Sequence, residues 1–377
     1  MKILHTVQRY FPDIGGSEEV VRQLSEYLVS FGHEVVVATS YSPGRTFDQL
    51  NGVRIEQFRC SGNSVDGIHG EADRYRQFLG SAGADVMMNY AAQIWSTDLA
   101  YELLPTLPCA KVIVPCGYSR LRDPSFTDYY RQMPEVLRRY AAVIYLSDNY
   151  IDAEFGREHQ LTNGIVIPNA ASEKEFSSRP VDAFRQRYGL QDQLVVLNVS
   201  NHSTAKNHCF FWNVVRMFPR TAIAPVMIGN AYRGFPRKWI HECYAHCRVD
   251  AMRSRGLLLE HAPRSDVVDA YMDADVFLFG SKIECSPLVM FESFASKTLF
   301  VTTDCGNVKD YEDIVCIVKD EHEARRVIED FMKHPDHYDG RIEKGYRLFR
   351  ERLHWKAISR EYEKLYRDIV MKSRNGS

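Results

Sequence analysis

The 377-residue chain has no apolar run approaching the roughly 20 residues needed to cross a bilayer, and its opening MKILHTVQRYF is too short and too polar for a secretory leader. A cytoplasmic protein is expected. An excess of positive charge is also missing: 47 Lys and Arg stand against 49 Asp and Glu, which excludes the broad basic field that draws in nucleic acid. Nine cysteines, an odd number without paired close spacing, do not make a disulfide framework and read as reduced thiols. One cluster, His241, Cys243, His246 and Cys247, sets two thiols four apart among imidazoles, a pattern zinc can use on a helix. No second ligand pair lies nearby in sequence, so an amphipathic helix is the plainer reading. Low-complexity segments are absent.

What is present is an ordinary globular composition, 45% hydrophobic, in a chain too long for one core to keep growing, so two domains are expected. KILHTV, a loop PDIGGSEE, apolar Val20, Val21, Leu24, Leu28 and Phe31 at helical spacing, then HEVVVAT read as strand, loop, helix, strand. Apolar runs at 85–88, 111–114 and 142–146 continue the alternation, which is the mark of a parallel sheet covered by helices on both faces. A second series follows at 194–200, 224–229, 256–261, 274–280 and 298–304. The polar, proline-bearing IPNAASEKEFSSRP between the two suits an interdomain connection. The expected division is 1–172, 173–350 and a terminal helix in 351–377 that packs back toward the first domain. The apolar stripe Leu348, Leu353, Trp355, Ile358, Tyr362, Leu365, Tyr366 and Ile369 makes the tail from about 340 helical. Two such α/β domains facing each other would leave a cleft beyond the carboxyl ends of their strands, where open parallel sheets bind ligands.

The segment FGSKIECSPLVMFESFAS, 279–296, reads as strand end, loop and helix. Ser286 is expected to cap the helix and Pro287 to occupy its first turn, leaving the amides of Leu288 and Val289 pointing outward with the positive end of the dipole, a phosphate site. Glu292 lies four residues past Leu288 on the same face and Glu284 in the loop ahead, so both carboxylates border one ligand and can accept hydrogen bonds from sugar hydroxyls. Acidic pairs at this spacing are mostly solvated surface, and it is the strand, Ser-Pro and apolar helix around this one that single it out. Asp273 and Asp275 imitate a metal-binding pair, but YMDADVFLF places them at a helix-to-strand junction where they more simply end a helix.

Glu-x7-Glu in this setting resembles the signature of the retaining glycosyltransferases of family 4, which have the GT-B fold: two facing Rossmann-like doubly wound domains with an interdomain cleft. The resemblance extends along the chain through Gly15-Gly16, Ile167-Pro168-Asn169, Met227-Ile228-Gly229 and Ala274-Asp275-Val276-Phe277. It implies transfer of a sugar, with retention, from a nucleoside-diphosphate sugar to a hydroxyl acceptor. Glu284 would contact donor-sugar hydroxyls, Glu292 the ribose, and the backbone at Ser286, Pro287, Leu288 and Val289 the diphosphate. Gly229 joins the donor-binding set. In NVSNHSTAKNH, 198–208, Lys206 matches a diphosphate-binding lysine, while Asn201 stands where the family carries Arg. Lys206 and Glu284 are then the catalytic pair. Neither cofactor nor metal is implied, since helix amides and Lys206 supply the neutralisation a metal gives elsewhere.

Gly15 and Gly16 open the first helix and let backbone approach a phosphate or sugar, with a ligand-free tight turn as the alternative. In KVIVPCGYSR, 111–120, Cys116 replaces a histidine that the family aims at the donor sugar, and a thiol does not reproduce imidazole hydrogen bonding. Tyr118, Arg120 and Arg122 are placed to meet an acceptor or a phosphate, or are plain surface side chains. DYYRQMPEVLRRYAA fits a packing helix, with peripheral contact at the inner face of a membrane and a lipid-linked acceptor as the alternative. The sugar, base and acceptor are not legible. Two other functions remain open: a non-catalytic nucleotide-sugar-binding partner subunit, which Cys116 and Asn201 argue for, and a sugar-nucleotide epimerase, which lacks identifiable acid and base residues.

Overall fold

The computed structural model describes residues 1–177, 182–231 and 237–375, with backbone alone at 237–242 and 375. It divides into two compact units, Met1–Asn169 with Trp355–Ser377, and Ala170–His354. In the first unit the spatial strand order is Gly164–Val166, Ala142–Tyr145, Ala110–Val114, Val86–Tyr90, Lys2–Thr6, Glu34–Ser40, Val53–Phe58 and Gln49–Leu50. Every neighbouring pair is parallel except the last. Strands covered by helices on both faces carry continuous apolar runs, which is why the uninterrupted segments of the sequence fell on them. Val53–Phe58 and Gly164–Val166 escaped that reading because VRIEQF alternates and GIV is a short, exposed edge strand.

The second unit holds six parallel strands in the order Leu257–Leu259, Ile223–Ile228, Leu194–Val199, Val276–Phe279, Leu299–Thr303 and Cys316–Val318. Alternate residues serve opposite faces. Val195, Leu197, Phe277 and Phe279 pack with Met290, Phe291 and Phe294 of the helix Leu288–Ser296. Val196, Val276 and Leu278 pack with Phe210, Phe211 and Trp212 of the helix His208–Val215. Each large side chain so buried contributes about 2–3 kcal/mol, enough to lock the register of the central strands.

Asp273 and Asp275 serve this framework. Asp273 is the C-cap residue of the helix Arg264–Met272, and its carboxylate accepts the amides of Asp182, Phe184 and Arg185 at 2.7–3.1 Å. Asp275 accepts the Val195 amide at 2.7 Å and pairs with Arg185 at 2.6 Å. The tail is not one helix: it breaks at Arg352–His354, between Asp336–Glu351 and Trp355–Asn375. Leu353 joins the core of the second unit, whereas Tyr366 lies against His5 and Met88 of the first, and Glu363 against His33. Among the described residues no helix is long and apolar enough to cross a membrane. The segment 128–142 supplies the helix Thr127–Arg138, whose Tyr130, Met133, Pro134 and Leu137 are buried in the first unit.

Candidate functional site

In the second sheet the chain runs outward in opposite directions from the adjacent strands Leu194–Val199 and Val276–Phe279, so their carboxyl ends form a topological switch point, the place where such sheets bind ligands. The loops leaving these two strands carry Lys206 and Glu284. Lys206 Nζ donates to Glu284 Oε1 at 2.6 Å, and Ser281 Oγ donates to the same oxygen at 2.7 Å. Ala205 O accepts the Lys282 amide at 2.8 Å, and Asn207, held in the left-handed region at φ 50, donates its side-chain amide to Gly280 O at 3.0 Å. The pair is therefore set by two mutually braced loops. Gly306 follows the next strand with φ +58, and a Cβ there would meet Cys285 O at 2.8 Å and Glu284 Cβ at 3.0 Å. Only glycine lets that backbone close behind Glu284.

The helix that follows begins at Leu288, with Pro287 as its N-cap residue and no side-chain cap hydrogen bond. Ser286 therefore does not cap it as expected: Pro287, at ψ 121, is still extended, so the helix starts one position later. Leu288 and Val289 occupy the first two helical positions, where the dipole favours an anion. Glu292 lies one turn further in, buried, with Arg264 donating to its Oε1. Burial pushes the Glu292 carboxyl up, and Arg264 opposes that shift. Arg264 also reaches Glu175 at 2.8 Å, so one guanidinium links two carboxylates. Arg264 carried no sequence signal: it lies 28 residues from Glu292 in a stretch that reads only as a helix start.

Asn201 Oδ1 accepts the Asn230 amide at 3.1 Å, tying the loop at 201 to the one after Ile223–Ile228. Gly229 sits at that crossing. A Cβ on it would lie 1.9 Å from Ser200 O and 2.7 Å from the Ser200 carbonyl carbon.

In the first unit, Gly15 is the N-cap residue of Gly16–Ser30, in extended backbone. The Glu18 carboxylate lies over Gly15, 2.3 Å from where a Cβ would stand, and receives Arg9 Nε at 2.7 Å, while Gly16 has open space around it. The first turn of this helix thus already holds a carboxylate of its own. Cys116 adopts φ +61, a conformation that costs a non-glycine residue about 1 kcal/mol or more, and its thiol reaches Tyr90 Oη at 3.9 Å. Tyr118 is a packing residue: it is 1% exposed and stands edge-on to Tyr130 and Phe155. Its phenol is therefore turned inward rather than toward an acceptor. Arg120 pairs with Asp66 and Asp123 and lies 4.0 Å from the Phe126 ring centroid. Arg122 is exposed.

Asp152, buried beneath this loop, accepts the Gly117 amide at 2.9 Å. Burial pushes its carboxyl from the ordinary 3.8 up to about 6, against the hydrogen bonds from Gly117 and Ala153. The neutral form is favoured in the fold, so its stabilisation is complete below about pH 4 and is lost as the pH rises through about 6. Asp152→Asn should abolish this dependence. The stability difference between wild type and variant is expected to change by about 2.4 kcal/mol between pH 4 and 7.5, read from urea unfolding; parallel curves would refute it.

No family model matches the chain, and no curated protein matches it. Solved structures do. Sucrose-phosphate synthase from Thermosynechococcus elongatus superposes with TM-score 0.82 at 16% identity, over 98% of this chain and 99% of that one. The Anabaena protein HepE in complex with UDP gives 0.78 at 14%, over 98% and 100%. WaaG, a glycosyltransferase involved in lipopolysaccharide biosynthesis, gives 0.71 at 16%, over 97% and 99%. Likeness over nearly the whole length at such low identity is likeness of fold, and the fold of this chain is GT-B, an α/β architecture of two Rossmann-like doubly wound domains.

Proposed function

We propose that the protein is a glycosyltransferase that binds a nucleoside-diphosphate sugar in its second unit and transfers the sugar, with retention, to a hydroxyl acceptor. The observation that carries the reading is the Lys206–Glu284 pair at the switch point, immediately ahead of the helix that begins at Leu288 and bears Glu292. A diphosphate would draw Lys206 away from Glu284 and take the first-turn amides of Leu288 and Val289. Glu284, still braced by Ser281, would then accept hydrogen bonds from the sugar, and Glu292 from the ribose. Likeness to HepE, solved with UDP and with UDP-glucose, makes uridine diphosphate sugars the first donors to test.

In the reaction the bond from the anomeric carbon to the diphosphate oxygen breaks with its electron pair on oxygen. The acceptor oxygen bonds to the same carbon from the same face, and its proton passes to the departing diphosphate. Charge grows on the leaving group as the sugar becomes cation-like, so Lys206 and the helix amides stabilise the transition state more than the ground state. No protein nucleophile is required, and no metal or cofactor is invoked. With Asn201 where the resembled family carries Arg, Lys206 is the cation assigned here to the diphosphate.

The test is a panel of nucleotide sugars, read by thermal shift and by nucleoside diphosphate release, with wild type beside Glu292→Ala. Donor should raise the Tm of wild type, and the variant should bind it about tenfold more weakly. Binding without release in the presence of acceptors would instead mark a non-catalytic nucleotide-sugar-binding subunit. No stabilisation by any donor would refute the assignment.

A further inference from the structure

Behind the loop that carries Lys206, four metal-ligating atoms converge. They are His202 Nδ1, His208 Nδ1, Cys243 Sγ and Cys247 Sγ, and the four residues' donor atoms lie within 4.8 Å of one another. We propose that these residues form a structural zinc site that fastens the segment 202–208 to the helix Arg237–Ser254.

Three observations carry it. The first is distance. A tetrahedral ion with bonds of about 2.0 Å to nitrogen and about 2.3 Å to sulfur needs nitrogen–nitrogen edges of about 3.3 Å and nitrogen–sulfur edges of about 3.5 Å. The two Nδ1 atoms are 3.2 Å apart. Cys243 Sγ is 3.4 Å from His208 Nδ1 and 3.8 Å from His202 Nδ1, and Cys247 Sγ is 3.6 Å from His208 Nδ1.

The second is hydrogen-bond accounting. Asn198 Nδ2 donates to Leu278 O, which leaves its Oδ1 to accept the Ser200 hydroxyl at 2.7 Å. Ser200 Oγ therefore accepts from His208 Nε2–H at 2.7 Å, and this tautomer leaves a lone pair on His208 Nδ1. That single lone pair faces one nitrogen and two sulfurs, whereas a cation among them satisfies all four atoms at once. The Asn198–Ser200–His208 chain is also the kind of outer support that orients a metal-bound imidazole.

The third is enclosure. His202, His208 and Cys247 are 1–2% exposed and Cys243 is partly buried, so all four positions come from protein, as in structural rather than catalytic zinc sites. Cys243 and Cys247, one turn apart, share a helix face, while His202 and His208 come from about 40 residues earlier. On binding, two thiols lose their protons and Zn²⁺ forms two bonds to sulfur and two to nitrogen; no electrons are exchanged. His246, which the sequence pairs with the cysteines, is exposed on another face, and the side chain of His241 lies outside the described residues. The site stands whether or not the chain transfers sugar.

The experiment measures metal content and the cobalt spectrum of the full chain. Wild type and His246→Ala should each hold about one zinc per chain by elemental analysis, and the Cys243→Ser/Cys247→Ser variant essentially none. Metal-free wild type titrated with Co²⁺ should develop thiolate-to-cobalt absorption in the near ultraviolet with tetrahedral bands in the visible, and chelation should lower its Tm. If the double variant fails to fold, the wild-type cobalt spectrum decides. Wild type without zinc and without a thiolate band, or a double variant that keeps its zinc, would overturn the proposal.

Discussion

Lys206→Met is expected to lower kcat for sugar transfer by about 10²-fold, with a much smaller rise in the donor KM. Methionine keeps the apolar stem of lysine and removes the ammonium, its charge and its N–H donors. The ammonium lies 2.6 Å from Glu284 and is partly exposed, so its loss withdraws the side-chain cation proposed to meet the leaving diphosphate as negative charge develops there. Stability should change by less than about 1 kcal/mol, because a partly exposed ion pair contributes little and Ser281 still donates to Glu284. Nucleoside diphosphate release at saturating donor and acceptor measures the effect. An unchanged kcat would remove Lys206 from the transition state. A rise in KM alone would give it uniform binding and no role in charge stabilisation.

Gly229→Ala should cost about 3 kcal/mol, a fall in Tm of roughly 6–12 °C for a unit of this size, and should weaken donor binding at the same time. The added methyl group would lie 1.9 Å from Ser200 O and 3.3 Å from the Asn201 amide nitrogen. These are backbone atoms, so no rotamer change relieves the clash. The loop from Ser200 toward Lys206 must move away from Gly229, which shifts Lys206 relative to Glu284. Gly16→Ala is the control: nothing stands within 4 Å of a Cβ there, and a helical alanine should leave stability level or raise it by about 0.5 kcal/mol. If Gly229→Ala melts like wild type, the close crossing of the two loops is not what orders the site.

Much of the molecule was legible because strand and helix periods are local. The runs near 86, 111, 142, 194, 224, 276 and 299 all became strands, since a strand buried on both faces must be apolar throughout. Glu284, Pro287 and Glu292 could be placed relative to one another because they share one loop and the helix it enters. The sequence was less informative where a residue's partners are remote. Tyr118 followed a strand like a site residue, yet Tyr130 and Phe155 enclose it. Asn201 was legible as a departure from the family pattern, but its bond to Asn230 was not. The stripe of the tail ran unbroken through Leu353 and Trp355, although Leu353 joins the core of the second unit and Trp355 belongs to the first.

By itself, then, the sequence determined the alternation of strands and helices in two α/β series and the segment in which two glutamates flank a helix start, while the GT-B class came from its resemblance to a known family. Hydrophobic spacing and the chemistry of Gly and Pro act within a few residues, and they can be read without knowing what lies opposite. Tertiary structure alone decided that Arg264 meets Glu292, that Gly306 closes behind Glu284, and that Cys243 and Cys247 face His202 and His208 rather than His246. Each of those meetings depends on which strands lie side by side, and no local period of the sequence encodes that.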